Sequence, residues 1–318
     1  MKRSITVIVF FMCSIFIVNT LHAQGCSDAG VCSIHSIKNN AEGHETKAGK
    51  KNELTVGFGY GKGERSTNNY TGYAEYTRTL TARTSVTGKF SYSAISGELA
   101  STSGPGDLFL SVNHAFDLPA GKAGIKRKWQ KSFVVGLKLP FDDADITKNG
   151  IHLPMPYQTS LGTIDLVLAV NYNRKSFGAT LAVQQPLKPI NENKFLPGDY
   201  PAVPLALKYW PTNDFSRKGD IVGRVSYRFK TGERFSIRPS LLGIYHEAND
   251  TYVDNSKNRR PIYNSKGLTL NGNVFVDYKL KNGNGFELSL GTPFIVRDQR
   301  PDGLTRSFVA SLEYRFSF

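Results

Sequence analysis

Residues 308–318 read FVASLEYRFSF and alternate between apolar and polar side chains. The apolar members are Phe308, Ala310, Leu312, Tyr314, Phe316 and Phe318, and the polar members between them are Ser311, Glu313, Arg315 and Ser317. A repeat of two residues is that of a β-strand with one apolar face and one polar face. The stretch therefore predicts a strand whose two faces meet different surroundings.

The same alternation recurs along the chain from residue 53, and no part of the mature chain keeps a helical repeat over three turns. Most of the segments are about ten residues long, which is the length of a tilted strand that crosses a bilayer. Twelve strands are predicted, over 53–61, 70–80, 85–95, 106–116, 130–140, 162–172, 176–185, 220–230, 234–246, 266–280, 284–293 and 304–318.

The connections between these segments alternate between short and long. Residues 173–175, 230–233 and 281–284 are tight turns rich in Asn and Gly. Three long polar stretches lie between them, at 140–162, 186–219 and 247–265. Short periplasmic turns and long outer loops are typical of outer-membrane barrels. The connection at 117–129 departs from this pattern, because it is long and basic where a tight turn is expected.

The composition excludes two broad classes of protein. With 40% hydrophobic and 12% aromatic residues in 318, the chain is too apolar to be disordered over most of its length. Its uninterrupted apolar run, residues 5–18, is shorter than the ~20 residues of a spanning helix, so a helical membrane protein is excluded. We expect an all-β fold, a single transmembrane antiparallel up-and-down barrel of about 12 strands over 53–318, in the bacterial outer membrane.

The N-terminus has the pattern of a secretory signal peptide. Lys2 and Arg3 precede the apolar run, and Ala23 offers a small residue at a cleavage site before Gln24. Residues 1–23 are therefore predicted to be removed. Since Lys2 and Arg3 leave with them, the formal net charge falls from +14 to +12. A basic exported protein suggests anionic neighbours such as lipopolysaccharide. No basic stripe interleaved with aromatic residues supports nucleic-acid binding.

Residues 24–52 form a Cys-containing segment and linker whose position the sequence leaves open. Cys26 and Cys32 favour a disulfide in an oxidising compartment. The alternative is a metal site that adds His35 and His44, but the spacing of the cysteines is wider than in a zinc knuckle. The segment either folds into the lumen and plugs it as a hatch, or forms a disordered tail in the periplasm.

The polar faces of the predicted strands are expected to line the lumen, with the apolar faces in lipid. Seven carboxylates and seven cations share these polar faces, which favours internal ion pairs and a water-filled or partly filled interior. Twelve strands give an interior between the filled eight-stranded barrels and the open sixteen-stranded ones. The predicted lumen-lining residues are Glu53, Glu75, Lys89, Asp107, Lys138, Asp165, Arg224, Arg228, Arg238, Asp277, Lys279, Glu287, Glu313 and Arg315.

The C-terminal alternation has a second meaning. Tyr314, Phe316 and a terminal Phe318 resemble the signal by which bacterial barrels engage their assembly machinery. The expected partners are therefore the barrel-assembly machinery, outer-membrane lipid with lipopolysaccharide, and a small-molecule solute.

Three short motifs occur in order along the predicted strands: GPGDL at 104–108, GLKLP at 136–140 and SLGTID at 160–165. In this order the chain resembles, over roughly 53–318, the outer-membrane channel family associated with the meta-pathway of phenol degradation, which is related to fatty-acid-transport-like barrels. The resemblance implies passive uptake of small, often hydrophobic, organic solutes, with an N-terminal segment able to plug the lumen. The segment of Cys26 and Cys32 and the basic connection at 117–129 depart from the family.

We therefore expect a channel or transporter-like barrel that is not an enzyme and has no cofactor and no resident metal. One alternative is a non-transporting structural or adhesive barrel. A rarer one is an outer-membrane hydrolase that uses the rim residues His152, His246, Asp250 and Asp254, although their spacing shows no catalytic pair.

Overall fold

The computed structural model describes residues 51–116, 130–303 and 306–318. The strands are β1 Asn52–Gly63, β2 Asn68–Thr79, β3 Thr84–Ser96, β4 Ser101–Pro105, β5 Leu108–Ala115, β6 Gln130–Leu139, β7 Thr147–Lys148, β8 Ile151–His152, β9 Ile164–Arg174, β10 Phe177–Lys188, β11 Asp220–Tyr227, β12 Phe229–Thr231, β13 Phe235–His246, β14 Thr251–Val253, β15 Arg259–Pro261, β16 Gly267–Lys279, β17 Gly285–Ile295 and β18 Arg306–Ser317. Four single-turn 3-10 helices are Glu64–Ser66, Met155–Tyr157, Pro197–Asp199 and Ala206–Lys208. In the described residues, no helix has the length and apolar character that crossing a membrane requires.

Fourteen of these strand segments form one antiparallel sheet that closes on itself. β1 pairs with β18, and β11 pairs with β13, so the ladder has no break around the ring. The terminal Phe318 takes part in this closure, because its carbonyl accepts from the amide of Asn52 at 3.1 Å and its amide donates to the carbonyl of Asn52 at 2.9 Å. Because β4 continues into β5 and β11 into β12, the sheet is a closed barrel of twelve strands, as the alternation predicts.

The two ends of the barrel differ in the length of their connections. At one end, named here the turn end, the described connections span 80–83, 175–176, 232–234 and 280–284, and Asn52 and Phe318 lie beside them. At the other, named the loop end, short connections join β1 to β2 and β3 to β4, and the other loops are long. The long loops at the loop end span 140–163, 189–219, 247–266 and 296–303 in the described residues.

The apolar face of each strand points away from the barrel axis. Leu181 is 61% exposed, whereas its neighbour Ala182 on β10 is 1% exposed. Phe58 on β1 and Tyr92 on β3 are likewise exposed, while Glu75 on β2 is buried. A period-two strand gives this result when one face meets the barrel interior and the other the surroundings. The outer surface is thus the apolar one.

The inner face is not uniformly polar. Small and branched apolar side chains fill the interior where β5, β6, β9, β10, β11 and β13 are neighbours. The members of this inner cluster are Phe109, Val134, Val167, Ala169, Ala182, Val222 and Leu242. Apolar side chains therefore pack inside the barrel on this side.

A bulge between β4 and β5 changes which residues face the interior. Pro105 pairs with Tyr92 and Phe109 pairs with Lys89, so this strand has one more residue than β3 over the same stretch. A bulge of this kind re-aims the side chains that follow it. The sequence predicted a strand over 106–116, whereas it begins at Ser101, and the bulge turns Asp107 inward.

The long loops fold into a compact cap over the loop end. The cap is defined here as the loops 140–163, 189–219, 247–266 and 296–303. It contains two apolar cores. The first holds Ile95, Leu153, Tyr157, Phe195, Ala206 and Tyr209, and the second Ala144, Met155, Leu161, Phe215 and Ile262. The aromatic residues of 189–219 therefore pack within the cap and do not form an open surface.

Two predicted segments lie outside the described residues. These are the signal peptide with the Cys26 and Cys32 segment, up to residue 50, and the basic connection 117–129. The predicted barrel start at Glu53 is one residue late, because β1 begins at Asn52.

Candidate lumen site beneath the cap

The barrel encloses a cavity of about 180 Å³ directly under the cap. Its walls are the inner faces of strands from both sides of the β1–β18 closure, and its roof is the loop 140–163 with the end of loop 296–303. The volume is below the ~300–1,000 Å³ of a typical drug-sized pocket, so the cavity suits one small molecule. The residues that line it include Tyr73, Lys89, Asp107, Phe109, Lys138, Met155, Pro156, Ser160, Leu161, Phe275, Asp302, Gly303 and Glu313.

The roof is anchored by Tyr157, whose side chain is fully buried. Its hydroxyl lies 2.8 Å from the hydroxyl of Tyr209 and accepts from the amide of Leu99 at 3.0 Å. Thr102 donates to the carbonyl of Tyr157 at 2.7 Å. The roof loop is thereby tied to a second cap loop and to the top of the barrel wall.

Gly303 lets the two roof loops approach each other. It has φ +71°, and a Cβ there would lie 2.7 Å from the backbone nitrogen of Pro156. Real Cβ atoms are not found this close to backbone, and glycine adopts such a φ without the steric cost that a Cβ brings. Any side chain at 303 must therefore push the 296–303 loop away from the roof.

A buried polar group, named here the Lys138 cluster, forms part of the cavity wall. It consists of Asp107, Lys138, Ser160, Asp165 and Gln184. The ammonium of Lys138 lies 3.0 Å from a carboxylate oxygen of Asp107 and 3.0 Å from one of Asp165. Gln184 donates to Asp165 at 2.5 Å, and the hydroxyl of Ser160 donates to Asp107. With the Lys138 side chain 2% exposed, both carboxylates depend on it for charge compensation.

The Lys138 cluster unites the three motifs that carried the family resemblance. Asp107 comes from GPGDL, Lys138 from GLKLP, and both Ser160 and Asp165 from SLGTID. β5, β6 and β9 are adjacent in the barrel, and Lys138 pairs with Phe109 on one side and with Asp165 on the other. Since Ser160 belongs to the roof loop, the cluster also connects the cap to the barrel wall.

A second charged group, named here the Arg238 cluster, spans four strands on the inner face. It consists of Arg238 on β13, Asp277 on β16, Glu287 on β17 and Arg315 on β18. Arg238 donates to Glu287 at 3.1 Å, and Arg315 donates to Asp277 at 2.8 Å and lies 3.7 Å from Glu287. Opposite charges on neighbouring strands thus compensate one another inside the barrel.

Aromatic rings complete the interior. Tyr73 donates to Glu313 at 2.6 Å, and the ammonium of Lys89 lies 4.1 Å from the centre of the Tyr73 ring. The guanidinium of Arg238 lies 4.2 Å from the centre of the Phe275 ring. Rings in such positions attract cations while presenting apolar surface. The cavity wall is therefore amphipathic, with charge and aromatic surface side by side.

The cap has its own buried charges, named here the cap charge cluster: Arg217, Asp220, His246, Asp250, Arg297 and Asp302. Arg217 pairs with Asp220, and Arg297 pairs with Asp302. His246 contacts two carboxylates, Asp220 at 2.7 Å through Nδ1 and Asp250 at 2.9 Å through Nε2. These pairs join three cap loops to the ends of β11 and β13.

The two loop cations, Arg217 and Arg297, favour the ionised form of the Asp302 carboxylate. Burial by itself would raise the pKa of Asp302, but Arg297 and Arg217 outweigh it and keep that pKa below its usual range. Burial likewise opposes the charged form of Arg297, yet Asp302 and Asp250 raise the pKa of its guanidinium. Asp302 and Arg297 thus stabilise each other in their charged forms.

The structure gives the following positions for the predicted lumen residues. Most of them are buried on the inner face: Glu75, Lys89, Lys138, Asp165, Arg224, Arg228, Arg238, Asp277, Glu287 and Glu313. Three are partly exposed, Glu53, Asp107 and Arg315, and Lys279 is exposed at the turn end. Their contact with a solute stays a prediction, as does the role of Tyr314, Phe316 and Phe318 in assembly.

The four loop-end residues considered for catalysis do not come together in one site. His246 and Asp250 belong to the cap charge cluster, where both ring nitrogens of His246 already contact carboxylates. His152 lies 2.9 Å from Asp145, and Asp254 pairs with Arg260 in the exposed part of the 247–266 loop. Within the described ranges, no group of three His, Cys, Asp or Glu side chains is arranged to hold a metal ion.

Comparison with known proteins bears on the fold. No protein-family model and no curated protein sequence matches the chain. Its structure is similar to the crystal structure of an outer-membrane channel from Pseudomonas putida F1, with TM-score 0.58 and 13% identity, covering 85% of this chain and 96% of that one. A KdgM porin in complex with disordered oligogalacturonate gives TM-score 0.44 and 7% identity, covering 84% and 99%. The NanC porin gives 0.43 and 12%, covering 83% and 98%. The first likeness shows the fold of an outer-membrane barrel.

Proposed function

We propose that this protein is a bacterial outer-membrane channel for the passive passage of small organic solutes, including hydrophobic ones. The observation that carries the proposal is the amphipathic cavity beneath the cap, inside a closed barrel whose apolar face points outward. Aromatic surface from Phe109 and Phe275 beside the charges of Lys89 and Glu313 suits solutes with both apolar and polar parts. Similarity in fold to a channel supports the same class.

The chain is proposed to lie with the turn end in the periplasm and the cap outside the cell, which is the usual arrangement of short turns and long loops. Export through residues 1–23, a Cys26–Cys32 disulfide and assembly through Phe318 are parts of the same proposal. So is membership of the channel family associated with the meta-pathway of phenol degradation, because the three motifs of that resemblance meet in the Lys138 cluster.

Passage requires the cap to loosen. The roof covers the cavity, and Ser160 ties it to the Lys138 cluster, so a solute entering from outside must displace the roof loop. We therefore expect a low resting conductance that rises when the roof contacts are weakened.

Planar-bilayer conductance and solute uptake into liposomes test the channel, with Gly303→Ala as the opening variant. The matched control is Gly150→Ala, which changes another glycine at positive φ in a cap loop but one whose added Cβ meets open space. We expect Gly303→Ala to raise conductance several-fold over wild type and Gly150→Ala to leave it unchanged. Absence of both conductance and uptake in wild type and in Gly303→Ala would overturn the proposal and favour a structural or adhesive barrel.

The chemistry of the rim favours a channel over a hydrolase. A general base needs a ring nitrogen that is free to accept a proton from the nucleophile. Both nitrogens of His246 contact carboxylates, which a doubly protonated ring satisfies by donating from each. Such a ring is a cation that holds two carboxylates of the cap together and cannot act as a general base. Ester hydrolysis by the wild type that is lost in His246→Ala would contradict this structural role.

A further inference from the structure

The excess positive charge of the chain gathers at the turn end. Ten exposed cations lie there, and in the described part of that end the exposed carboxylate facing them is Glu233. The cations, named here the basic rim, are Lys51, Arg78, Arg83, Lys131, Arg174, Lys175, Lys230, Arg234, Lys279 and Lys281.

The loop end does not share this asymmetry. Several of its exposed cations lie next to carboxylates: Lys194 lies 2.6 Å from Asp214, and Arg260 lies 2.7 Å from Asp254. Carboxylates thus offset cations in the cap, whereas the ten exposed cations of the basic rim face one exposed side-chain carboxylate, Glu233, in the described part of the turn end. Such an excess of positive charge attracts an anionic partner.

Aromatic side chains lie directly beside the basic rim on the outward face. Tyr76 precedes Arg78 by two residues on the same face of β2, and Tyr172 is paired with Lys131 across the β6–β9 ladder. Tyr227 and Phe229 pack at 4.8 Å, and Phe316 and Phe318 pack at 5.3 Å. Aromatic girdles of barrels lie at the level of the lipid head groups. The cations just beyond them are therefore at the depth of the phosphates.

The direction of the side chains decides between a lipid partner and a solute partner. Arg78 and Lys131 are exposed on the outward face, which is the face of the apolar belt. A funnel for anionic solutes would need an excess of cations on the inward face at this end, but there the cations Arg238 and Arg315 are matched by the carboxylates Asp277 and Glu287. The geometry favours the membrane surface.

We propose that the basic rim binds the phosphate groups of anionic phospholipids, such as phosphatidylglycerol, in the periplasmic leaflet. The contact fixes the height of the barrel in the membrane and recruits anionic lipid around it. The proposal rests on the periplasmic orientation of the turn end given under the proposed function, and it is independent of whether the lumen conducts.

The test measures lipid retained by the mature protein purified in detergent micelles that contain equal amounts of phosphatidylglycerol and phosphatidylethanolamine. The rim variant is Arg78→Gln, Arg83→Gln and Lys131→Gln together. The matched control makes the same change of charge at the loop end, with Lys208→Gln, Lys257→Gln and Lys266→Gln, all exposed. Heat-modifiable migration on gels checks that each barrel is folded.

We expect wild type and the control to retain phosphatidylglycerol in preference to phosphatidylethanolamine. In the rim variant the ratio of the two retained lipids should fall roughly tenfold, because each surface cation contributes to the attraction of anionic lipid. High salt should weaken the preference, whereas soluble glycerol phosphate should not compete at equal concentration if the lipid form is the partner. No preference in wild type, equal loss in the control, or full competition by soluble glycerol phosphate would overturn the proposal. A barrel that retains the lipid but does not conduct would overturn the channel and leave this inference standing.

Discussion

The loop end and the turn end of the barrel differ in how their charged side chains are surrounded. The loop end carries long loops that bury two apolar cores and a set of ionised side chains, so its charges compensate one another inside the cap. The turn end has short turns, and its cations remain exposed. The difference assigns the compensated, buried charges to the cap, where the proposed gating would occur, and the exposed cations to the basic rim, where the proposed contact with lipid would occur.

The largest expected effect separates a buried cation of the cap from an exposed one of the rim. Arg297→Met removes one of the two partners of each of the buried carboxylates of Asp302 and Asp250, Arg217 and His246 being the others, which costs about 3 kcal/mol. Arg83→Met changes an exposed cation and should alter the free energy of unfolding by less than about 0.5 kcal/mol. Denaturant unfolding of the folded barrel measures both, and equal effects would remove the distinction between the two ends.

Acid should loosen the cap before it affects the rim. Since the folded-state pKa of Asp302 lies below its unfolded value, the ionised carboxylate stabilises the cap above about pH 4. That stabilisation is lost as the pH falls below this value and through the lower folded-state pKa. We expect conductance to rise in this acid range, and Asp302→Asn to conduct more at neutral pH. A step between pH 5 and 7 would contradict the assignment to this carboxylate.

A smaller effect concerns the anchor of the roof. Tyr157→Phe removes the hydroxyl that contacts Tyr209 and the amide of Leu99, and should cost about 1–3 kcal/mol. Hydrogen exchange of the Leu99 amide should become faster. The control is Tyr263→Phe, because Tyr263 is 73% exposed in the cap and its hydroxyl should matter little. Unchanged protection at Leu99 would show that the roof is held by apolar packing alone.

The smallest effect is at the turn end. Lys175 has φ 51° in the two-residue turn between β9 and β10, a left-handed conformation that Asn adopts more readily than Lys. Lys175→Asn should stabilise the barrel by about 0.5 kcal/mol in detergent. Lys281→Asn makes the same change of charge at a residue without positive φ and should give no gain. A gain at Lys281 as large as at Lys175 would point to charge repulsion in the rim instead of backbone strain.

The barrel could be predicted from the sequence because the signal is local. The alternation of apolar and polar residues is visible within each strand, and tight turns such as 230–233 show where one strand ends. An even number of strands in an up-and-down barrel predicts that β1 pairs with β18. The alternation predicts that the charged side chains point inward. The bulge before Asp107 could not be predicted, since it depends on how many residues two different strands use over one stretch.

The site was predicted only as a set of inward residues, because its members meet through the register of separate strands. Asp107, Lys138 and Asp165 were all expected in the lumen, yet their contact depends on the pairing of β5, β6 and β9. The cap was missed for another reason. Long loops have no period, and contacts such as Arg297 with Asp302 are recognisable only once the loop has folded.

The outward direction of the apolar face is tested most directly by comparing two neighbouring residues of β3 in a lipid bilayer. Ser91 lines the cavity and Tyr92 is 51% exposed on the outward face. Each is changed to Cys in a background where Cys26 and Cys32 are Ser, and is treated with a small charged thiol reagent in water or with an apolar one dissolved in lipid. We expect Ser91→Cys to react from water, with a change in conductance, and Tyr92→Cys to react only from lipid. Reaction of Tyr92→Cys from water, with Ser91→Cys inert, would contradict the outward apolar face on which the channel depends.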